Sequence, residues 1–106
     1  MESVALDPML MRNAATDVVD RLKVLANRER LLLLCQLSQG ERCVSDLEAT
    51  LDIRQPTLSQ QLGVLRAEGV VSTRREGKYV YYCVADGKLL QLLATLYDLY
   101  CPSEAS

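Results

Sequence analysis

The chain has 106 residues, of which 49% are apolar and 25% charged, and its formal net charge is −2. This is enough for one domain around one hydrophobic core, and no apolar run approaches the roughly 18 residues of a membrane span, so an integral membrane protein is excluded. The first residues lack the basic-then-apolar order of a signal peptide, and we expect a cytoplasmic protein whose single domain spans residues 1–106.

Two helices are predicted in the first third of the chain. Asp7 followed by Pro8 is typical of an N-cap and a first helical position, and apolar residues continue at helical spacing over residues 8–26. Asn27 can cap a second helix over residues 28–38. This second helix is apolar nearly all round, which predicts that it is buried.

A helix-turn-helix is predicted at the centre of the chain. A short third helix covers residues 44–50 and is joined by a tight connection of about four residues to a fourth helix over residues 56–68. Pro56 is expected at the first helical position, where its missing N–H costs nothing. The inward face of the fourth helix carries Leu58, Leu62 and Leu65.

The opposite face of the fourth helix carries side chains suited to DNA. Short hydroxyl and amide groups can donate and accept hydrogen bonds at base edges, and arginines at the two ends can contact phosphates. A solvated polar helix face has the same composition, so the neighbouring elements must decide between the two interpretations. The candidate DNA-binding residues here are Arg54, Gln55, Thr57, Ser59, Gln60, Gln61 and Arg66.

A β-hairpin, here called the wing, is predicted directly after this helix, over residues 70–84. Its two strands are rich in β-branched and aromatic residues and flank a basic tip that contains Gly77. Such a tip is suited to lying over a phosphate backbone, although a solvated hairpin tip is the alternative. The candidate DNA contacts of the wing are Arg74, Arg75 and Lys78.

Charge is distributed unevenly along the chain. Residues 54–78 carry a net charge of +3, whereas residues 1–53 carry −3 and residues 79–106 carry −2. Counterion release depends on where basic side chains face the phosphates and not on the overall charge. The partition therefore favours DNA binding by the fourth helix and the wing together.

A fifth helix is predicted over residues 86–100, capped by Asp86 and ended by Pro102. The predicted fold is mainly α with a small β-hairpin, a winged helix-turn-helix in which four helices precede the hairpin and one follows it. The first and fifth helices carry more apolar surface than one protomer can cover, which predicts a two-fold homodimer through these helices. Its two recognition helices would lie about 34 Å apart, one turn of DNA.

Three segments carry a resemblance to a known family. With the order of elements given above, they are residues 25–31 (LANRERL), residues 56–66 (PTLSQQLGVLR) and residues 69–71 (GVV). The chain resembles the ArsR/SmtB family of winged-helix repressors over about residues 10–102. The resemblance implies a dimer that holds an operator until an inducer binds and lowers its affinity for DNA.

Two of the four cysteines extend the resemblance to the persulfide-responsive subgroup of that family, the BigR, SqrR and HlyU-like regulators. Cys35 lies within the second helix, and Cys101 lies at the end of the fifth. By chemistry alone Cys35 is interpreted as a small core hydrophobe, which is the usual role of a free cysteine in a leucine-rich helix, whereas Cys101 lies where a thiol is accessible. The resemblance implies that these two cysteines, 66 residues apart, form a sulfur-sensing pair.

The other two cysteines bear on competing inducers. Soft-metal sensors of the family carry Cys-Val-Cys at the start of the third helix, but here the segment is Cys43-Val44-Ser45, so one thiolate ligand is missing. Cys43 is interpreted as a weak helix cap, with a reactive thiol as the alternative. Cys83 is expected to point outward from a strand and is given no role. The chain has no histidine, so the family's other metal site cannot be assembled.

The sequence thus predicts a DNA-binding repressor without metal or cofactor. We expect it to release its operator when Cys35 and Cys101 become linked by a disulfide or through added sulfur. The expected signal is a persulfide or polysulfide. The alternative keeps the repressor but gives it another thiol-directed signal, an oxidant or a trivalent arsenical. An enzyme is not expected, because Cys-x-x-Cys, histidine and a phosphate-binding glycine loop are all lacking. A winged helix that binds protein instead of DNA is a further alternative.

Overall fold

The computed structural model describes residues 6–101, which form five α-helices and three β-strands. The order of the elements is that of a winged helix with one additional strand before the third helix. In chain order they are α1 (Pro8–Leu25), α2 (Arg28–Leu37), β1 (Arg42–Cys43), α3 (Val44–Leu51), α4 (Thr57–Ala67), β2 (Val71–Glu76), β3 (Tyr79–Val84) and α5 (Gly87–Tyr100). The predicted winged helix-turn-helix is confirmed.

Three predicted helix caps are present. Asp7 accepts a hydrogen bond from the Met9 N–H at 2.9 Å at the start of α1, and Asn27 accepts one from the Arg30 N–H at 3.0 Å at the start of α2. Asp86 caps α5 by accepting hydrogen bonds from two backbone N–H groups. Each cap satisfies donors that have no partner within the helix, which fixes where the helix begins. Pro102, the predicted helix stop, lies outside the described residues.

The predicted start of α4 was wrong by one residue. Pro56 is the N-cap and not the first helical residue, and α4 begins at Thr57. The carbonyl oxygen of Pro56 accepts the hydrogen bond of the Gln60 N–H at 3.0 Å, which is the role of an N-cap carbonyl. The outward face of α4 is unaffected by this shift.

The sheet has three antiparallel strands in the order β1-β3-β2, so β3 is central. The wing hairpin pairs Val71 with Val84 at its base and Glu76 with Tyr79 at its tip. The two-residue strand β1 pairs Arg42 with Tyr82. This third strand was not predicted, because two residues are too few to show the alternation that identifies a strand. It attaches the wing to the segment that precedes α3.

The core is built from leucines that α2, α3, α4 and α5 direct toward one another, together with valines at the base of the wing. Tyr82 of β3 closes this core on the sheet side. Packing against α2 orients α4 so that its opposite face is exposed. Side chains that are 2% exposed or less include Leu33, Leu34, Leu37, Leu47, Leu58, Leu62, Leu65, Val70, Leu89 and Leu93.

Helices α1 and α5 leave large apolar side chains uncovered in the protomer. An ion pair of 2.8 Å between Arg21 of α1 and Asp86 holds α1 near the start of α5. Within residues 6–101, no helix is long and apolar enough to cross a membrane. The exposed apolar residues of the two helices are Met9, Leu10, Met11, Val18, Val19 and Leu22 of α1 and Leu90, Tyr97, Leu99 and Tyr100 of α5.

Candidate nucleic-acid interface and thiol pair

The exposed face of α4 presents hydroxyl and amide groups between two arginines. Ser59 and Gln60 are exposed at the centre, and Arg54 and Arg66 are exposed at the two ends. Gly63 lies on the same face, one turn after Ser59, and a side-chain carbon at Gly63 would have no neighbour within 4 Å. These five residues form a shallow polar surface whose centre carries no bulky side chain.

Three other residues predicted to contact DNA from this region differ in their surroundings, and two of them have hydrogen-bond partners within the protein. The Oε1 atom of Gln55 accepts a hydrogen bond from the Ser59 N–H at 3.1 Å, so Gln55 serves as a cap for α4. Gln61 is half-buried, and its Oε1 atom accepts a hydrogen bond from Nη1 of Arg30 at 3.0 Å. Thr57 is also half-buried. Of these three residues, Gln55 is exposed, whereas the half-buried Thr57 and Gln61 present less of their side chains to solvent.

The wing carries two kinds of arginine. Arg75 and Lys78 are exposed, and within residues 6–101 neither has an ion-pair partner. The guanidinium of Arg74 instead contacts Glu41 at 2.7 Å and Glu76 at 2.6 Å. These contacts, with that to Glu41 the larger, raise the pKa of Arg74 above its ordinary value. Arg74, predicted as a phosphate contact, is thus already ion-paired with two carboxylates within the protein.

Tyr81 of β3 also helps to hold the side chain of Arg74 in place. Arg74 is paired with Tyr81 across the two strands, and its guanidinium lies 4.7 Å from the centre of the Tyr81 ring. The guanidinium therefore stacks on the outer face of the sheet while it binds Glu41. Because Glu41 immediately precedes β1, this contact ties the wing to the same segment that β1 attaches to the sheet.

Cys35 and Cys101 lie where α2 and α5 meet. Cys35 is half-buried on α2, and Cys101 is exposed at the C-cap of α5, with its N–H bonded to the carbonyl of Tyr97 at 2.9 Å. Burial raises the pKa of Cys35, and the negative charge of the Cys101 thiolate raises it further. Tyr97, whose carbonyl accepts from the Cys101 N–H, lines the same groove as Cys35, so the last turn of α5 lies beside Cys35.

A groove of about 750 Å³ between α2 and α5 exposes one side of Cys35. Its walls combine aliphatic side chains with the polar side chains of Gln36, Ser38 and Gln39, and Tyr97 and Asp98 of α5 also line it. A small molecule can therefore reach the thiol without opening the core. The lining residues are Leu32, Cys35, Gln36, Ser38, Gln39, Leu51, Leu90, Leu93, Ala94, Tyr97 and Asp98.

The other two cysteines lie away from this groove. Cys43 is the buried N-cap residue of α3, the position predicted for it, although its side chain makes no cap hydrogen bond. Its Sγ atom lies 3.2 Å from Oγ of Ser45, where the soft-metal pattern would have a second thiol. Cys83 is half-buried on β3, and its Sγ atom lies 3.1 Å from Oγ of Ser72 on the neighbouring strand.

Comparison with known proteins identifies the family. The model of the family described as "Bacterial regulatory protein, arsR family" matches residues 27–73, which run from the cap of α2 into β2. The biofilm growth-associated repressor of Agrobacterium fabrum is 54% identical over 94 residues, which are 89% of this chain and 80% of that protein. The chain belongs to the ArsR/SmtB family of transcriptional repressors.

Two further relatives agree with this assignment. The crystal structure of the transcriptional repressor BigR from Xylella fastidiosa aligns with a TM-score of 0.87 and 43% identity, covering 92% of this chain and 100% of that one. The transcriptional activator HlyU of Vibrio cholerae is 39% identical over 90 residues, which are 85% of this chain and 82% of that protein. The resemblance to the ArsR/SmtB family is thus confirmed.

Within this ArsR-family fold, three features of the site were not predicted. Gly63 could have been found, because a glycine in the middle of a helix is costly and calls for a reason. The pairing of Arg74 with Glu41 could not, because the two residues are 33 positions apart and meet only through β1. The same holds for Arg30 and Gln61, which belong to different helices.

Proposed function

We propose that this ArsR-family repressor is a homodimer that holds its operator with α4 and the wing and releases it when Cys35 and Cys101 become linked in response to persulfides or polysulfides. The observation that carries the proposal is the groove between α2 and α5, in which the half-buried Cys35 lies beside Tyr97 and Asp98 of the last turn of α5. The exposed Cys101 directly follows this turn, which supports a pair of thiols of different exposure.

DNA binding is assigned to the exposed surface described above. Ser59 and Gln60 would contact base edges, while Arg54, Arg66 and the wing residues Arg75 and Lys78 would contact phosphates. Gly63 would allow the helix backbone to approach the DNA closely. Gln55 holds the first turn of α4 through the Ser59 N–H, Gln61 is bound by Arg30, and Arg74 fixes the wing.

The partner proposed for the apolar face of α1 and α5 is a second copy of this chain. A groove of about 910 Å³ lies between the two helices, and Val18, Leu22, Leu89 and Leu92 are among its apolar lining residues. The same two helices carry most of the large exposed apolar side chains of the protomer. A two-fold dimer covers such a self-complementary surface and places two α4 helices on one side of the assembly.

The thiol chemistry follows from the different exposure of the two cysteines. The exposed Cys101 thiolate attacks the terminal sulfur of a persulfide R–S–SH, forming Cys101–S–SH and releasing RS⁻. Cys35 then attacks the Sγ atom of Cys101, which forms the disulfide, releases HS⁻ and transfers the thiol proton of Cys35 to water. Two thiols are oxidised by two electrons, and one persulfide is reduced to RSH and H₂S.

Longer bridges need more of the same donor. A second persulfide adds its terminal sulfur to Cys101–S–SH and releases a second RSH, after which Cys35 attacks the sulfur next to Sγ and again releases HS⁻. The product is a trisulfide between Cys35 and Cys101. Each bridge ties α2 to the end of α5. It therefore changes the position of α5, a helix of the proposed dimer interface, relative to the core of its own protomer.

Release of DNA requires a modest difference in DNA-binding free energy between two arrangements of the dimer. A link between α2 and α5 favours an arrangement in which the two α4 helices no longer fit successive major grooves. A coupling free energy of about 1–3 kcal/mol, which is roughly 5–150-fold in affinity, is typical of such regulation.

Intact mass spectrometry after treatment with a persulfide donor tests the chemistry, with peptide mapping of the linked residues. We expect a link between Cys35 and Cys101 whose mass increases in steps of about 32 Da for each bridging sulfur. The Cys83→Ser protein is the matched control and should form the same link. A link that forms only with peroxide or an arsenical supports the alternative signal, and modification of Cys43 or Cys83 alone contradicts the assignment of the pair.

A further inference from the structure

The side chain of Arg30 joins three helices. Its Nε atom donates to the carbonyl oxygen of Val24 at 2.7 Å, and its Nη2 atom donates to that of Lys23 at 3.1 Å. Its Nη1 atom donates to Oε1 of Gln61 at 3.0 Å. Arg30 belongs to the first turn of α2, the two carbonyls belong to the last turn of α1, and Gln61 belongs to α4.

The end of α1 gives this arginine a fixed position. The last carbonyls of a helix have no partner within the helix and carry the negative end of its dipole, so a guanidinium there is both hydrogen-bonded and electrostatically favoured. The Arg30 N–H is in addition bonded to Oδ1 of Asn27. Nη1 of Arg30 is thereby directed at α4 from a rigid base.

Gln61 is the corresponding group on α4. It precedes the buried Leu62 and is half-buried, whereas its neighbours Ser59 and Gln60 are exposed. The buried residues of α4 are leucines, and apolar packing has little directional preference. A hydrogen bond to a charged donor has a defined geometry, so it fixes the rotation of α4 about its own axis.

Arg30 also shares its helix with the thiol switch. Cys35 lies five residues later on α2, so a link from Cys35 to α5 acts on the same rigid element that holds Gln61. We propose that Arg30 and Gln61 are positioning residues that set the orientation of α4 against α2 and transmit the state of Cys35 to the DNA-reading face. This inference rests on the proposed function, and it assigns Gln61 to signal transmission instead of base recognition.

The test uses Gln61→Met, which keeps the length of the side chain but removes the acceptor, and Arg30→Met, which removes the donor. Gln61→Glu is the matched control, because its carboxylate still accepts from Arg30. We expect each Met variant to lower the affinity of the reduced protein for a selected operator about 10-fold, with the double variant no weaker than either one. The loss should be equal at every operator position, and persulfide should then change the affinity by less than 3-fold.

Gln61→Glu separates the transmission role from general damage to the fold. It should retain the change in affinity that persulfide causes in the wild type, even if its added negative charge weakens DNA binding overall. A Gln61→Met protein that loses preference at a single base pair and keeps the full response to persulfide overturns the proposal. Additive effects of Arg30→Met and Gln61→Met overturn it as well.

Hydrogen exchange of the α4 amides gives a readout that needs no DNA. In the wild type, linking the thiols should speed exchange in α4 relative to the reduced protein. In Gln61→Met, exchange in α4 should already be fast and should not respond to the link. An equal change in α4 exchange in both proteins contradicts the inference, even where DNA binding is confirmed. Failure of the reduced wild type to bind DNA contradicts the proposed function instead. The exchange comparison then still decides whether Arg30 and Gln61 transmit the state of Cys35.

Discussion

The Nε atom of Arg74 lies 2.7 Å from Oε2 of Glu41, so an ion pair ties the wing to the residue before β1. Arg74 is next to Arg75 in sequence, but successive side chains of a strand point to opposite faces of the sheet. Arg75 and Lys78 therefore remain available to phosphates, while the charge of Arg74 is already neutralised by Glu41 and Glu76.

Salt dependence should separate these basic residues. We expect Arg75→Ala and Lys78→Ala each to reduce the slope of log K against log salt concentration by about 1.8, because each removes one phosphate contact from each of the two protomers of the dimer. Arg74→Ala should change the slope clearly less. The measurement is a titration of operator DNA at several salt concentrations. An equal reduction by Arg74→Ala would show that Arg74 leaves Glu41 to contact DNA.

Asp86 should contribute to stability mainly as a helix cap. We expect Asp86→Ala to lower the free energy of unfolding by about 1 kcal/mol, because the N–H groups of Lys88 and Leu89 lose their acceptor. Asp86→Asn keeps an acceptor and loses only the ion pair with Arg21, so its cost should be smaller. Urea unfolding of the three proteins measures both effects. An equal cost for the two variants would assign the contribution to Arg21 instead.

The same carboxylate predicts a pH dependence. The hydrogen bond from the Leu89 N–H, together with Arg21, lowers the pKa of Asp86. The contribution of this group is therefore fully present above the ordinary aspartate pKa of about 3.9 and is lost as the pH falls through the lowered value in the folded protein. Urea unfolding at acidic pH should show this loss in the wild type and not in Asp86→Ala.

Gly63 should show opposite effects on stability and on DNA binding. A methyl group at Gly63 meets no atom within 4 Å, and alanine is the better helix former, so Gly63→Ala should stabilise the protein by about 0.5–1 kcal/mol. If DNA approaches the helix backbone here, the same methyl group should weaken operator binding. The control is Ala67→Gly, which makes the reverse substitution at another exposed position of α4 and so changes helix stability away from Gly63. A Gly63→Ala protein that is more stable and binds DNA as tightly as the wild type would exclude this close approach.

The sequence was most informative where local chemistry decides the structure. The caps at Asp7, Asn27 and Asp86 and the leucine spacing of α4 each involve residues within one helix, and the structure confirms them. The strand β1 and the shift of the α4 start to Thr57 depend on hydrogen bonds that a sequence pattern does not specify.

The candidate site was less predictable, because side-chain partners are distant in sequence. Helical spacing placed Gln61 near the outer face, but it could not show that Arg30 of another helix binds its oxygen atom. Composition likewise suggested that Arg74 was a free cation, although Glu41 lies beside it. Periodicity assigns a residue to a face, whereas its partner is determined by the tertiary packing.

Thiol reactivity should differ between the two cysteines and depend on pH. Because burial and the nearby Cys101 charge raise the pKa of Cys35, less thiolate is present there near neutral pH, and Cys35 should be alkylated more slowly than the exposed Cys101. Cys101→Ser should shift the alkylation profile of Cys35 to lower pH, since the charge is removed and the burial remains. Cys101→Asp keeps a negative charge and should shift the profile less. Mass spectrometry of timed alkylation distinguishes these results, and identical profiles in all three proteins would contradict the proximity of the pair.

Operator binding by the Cys35→Ser protein, before and after a persulfide donor, tests the thiol switch most directly. The operator is a duplex selected from a randomised library by the reduced wild type, and Cys83→Ser is the control that keeps the pair. We expect the donor to weaken binding by the wild type and by Cys83→Ser roughly 5–150-fold and to leave binding by Cys35→Ser unchanged. Release of the operator by Cys35→Ser to the same extent as by the wild type would contradict a switch formed by Cys35 and Cys101.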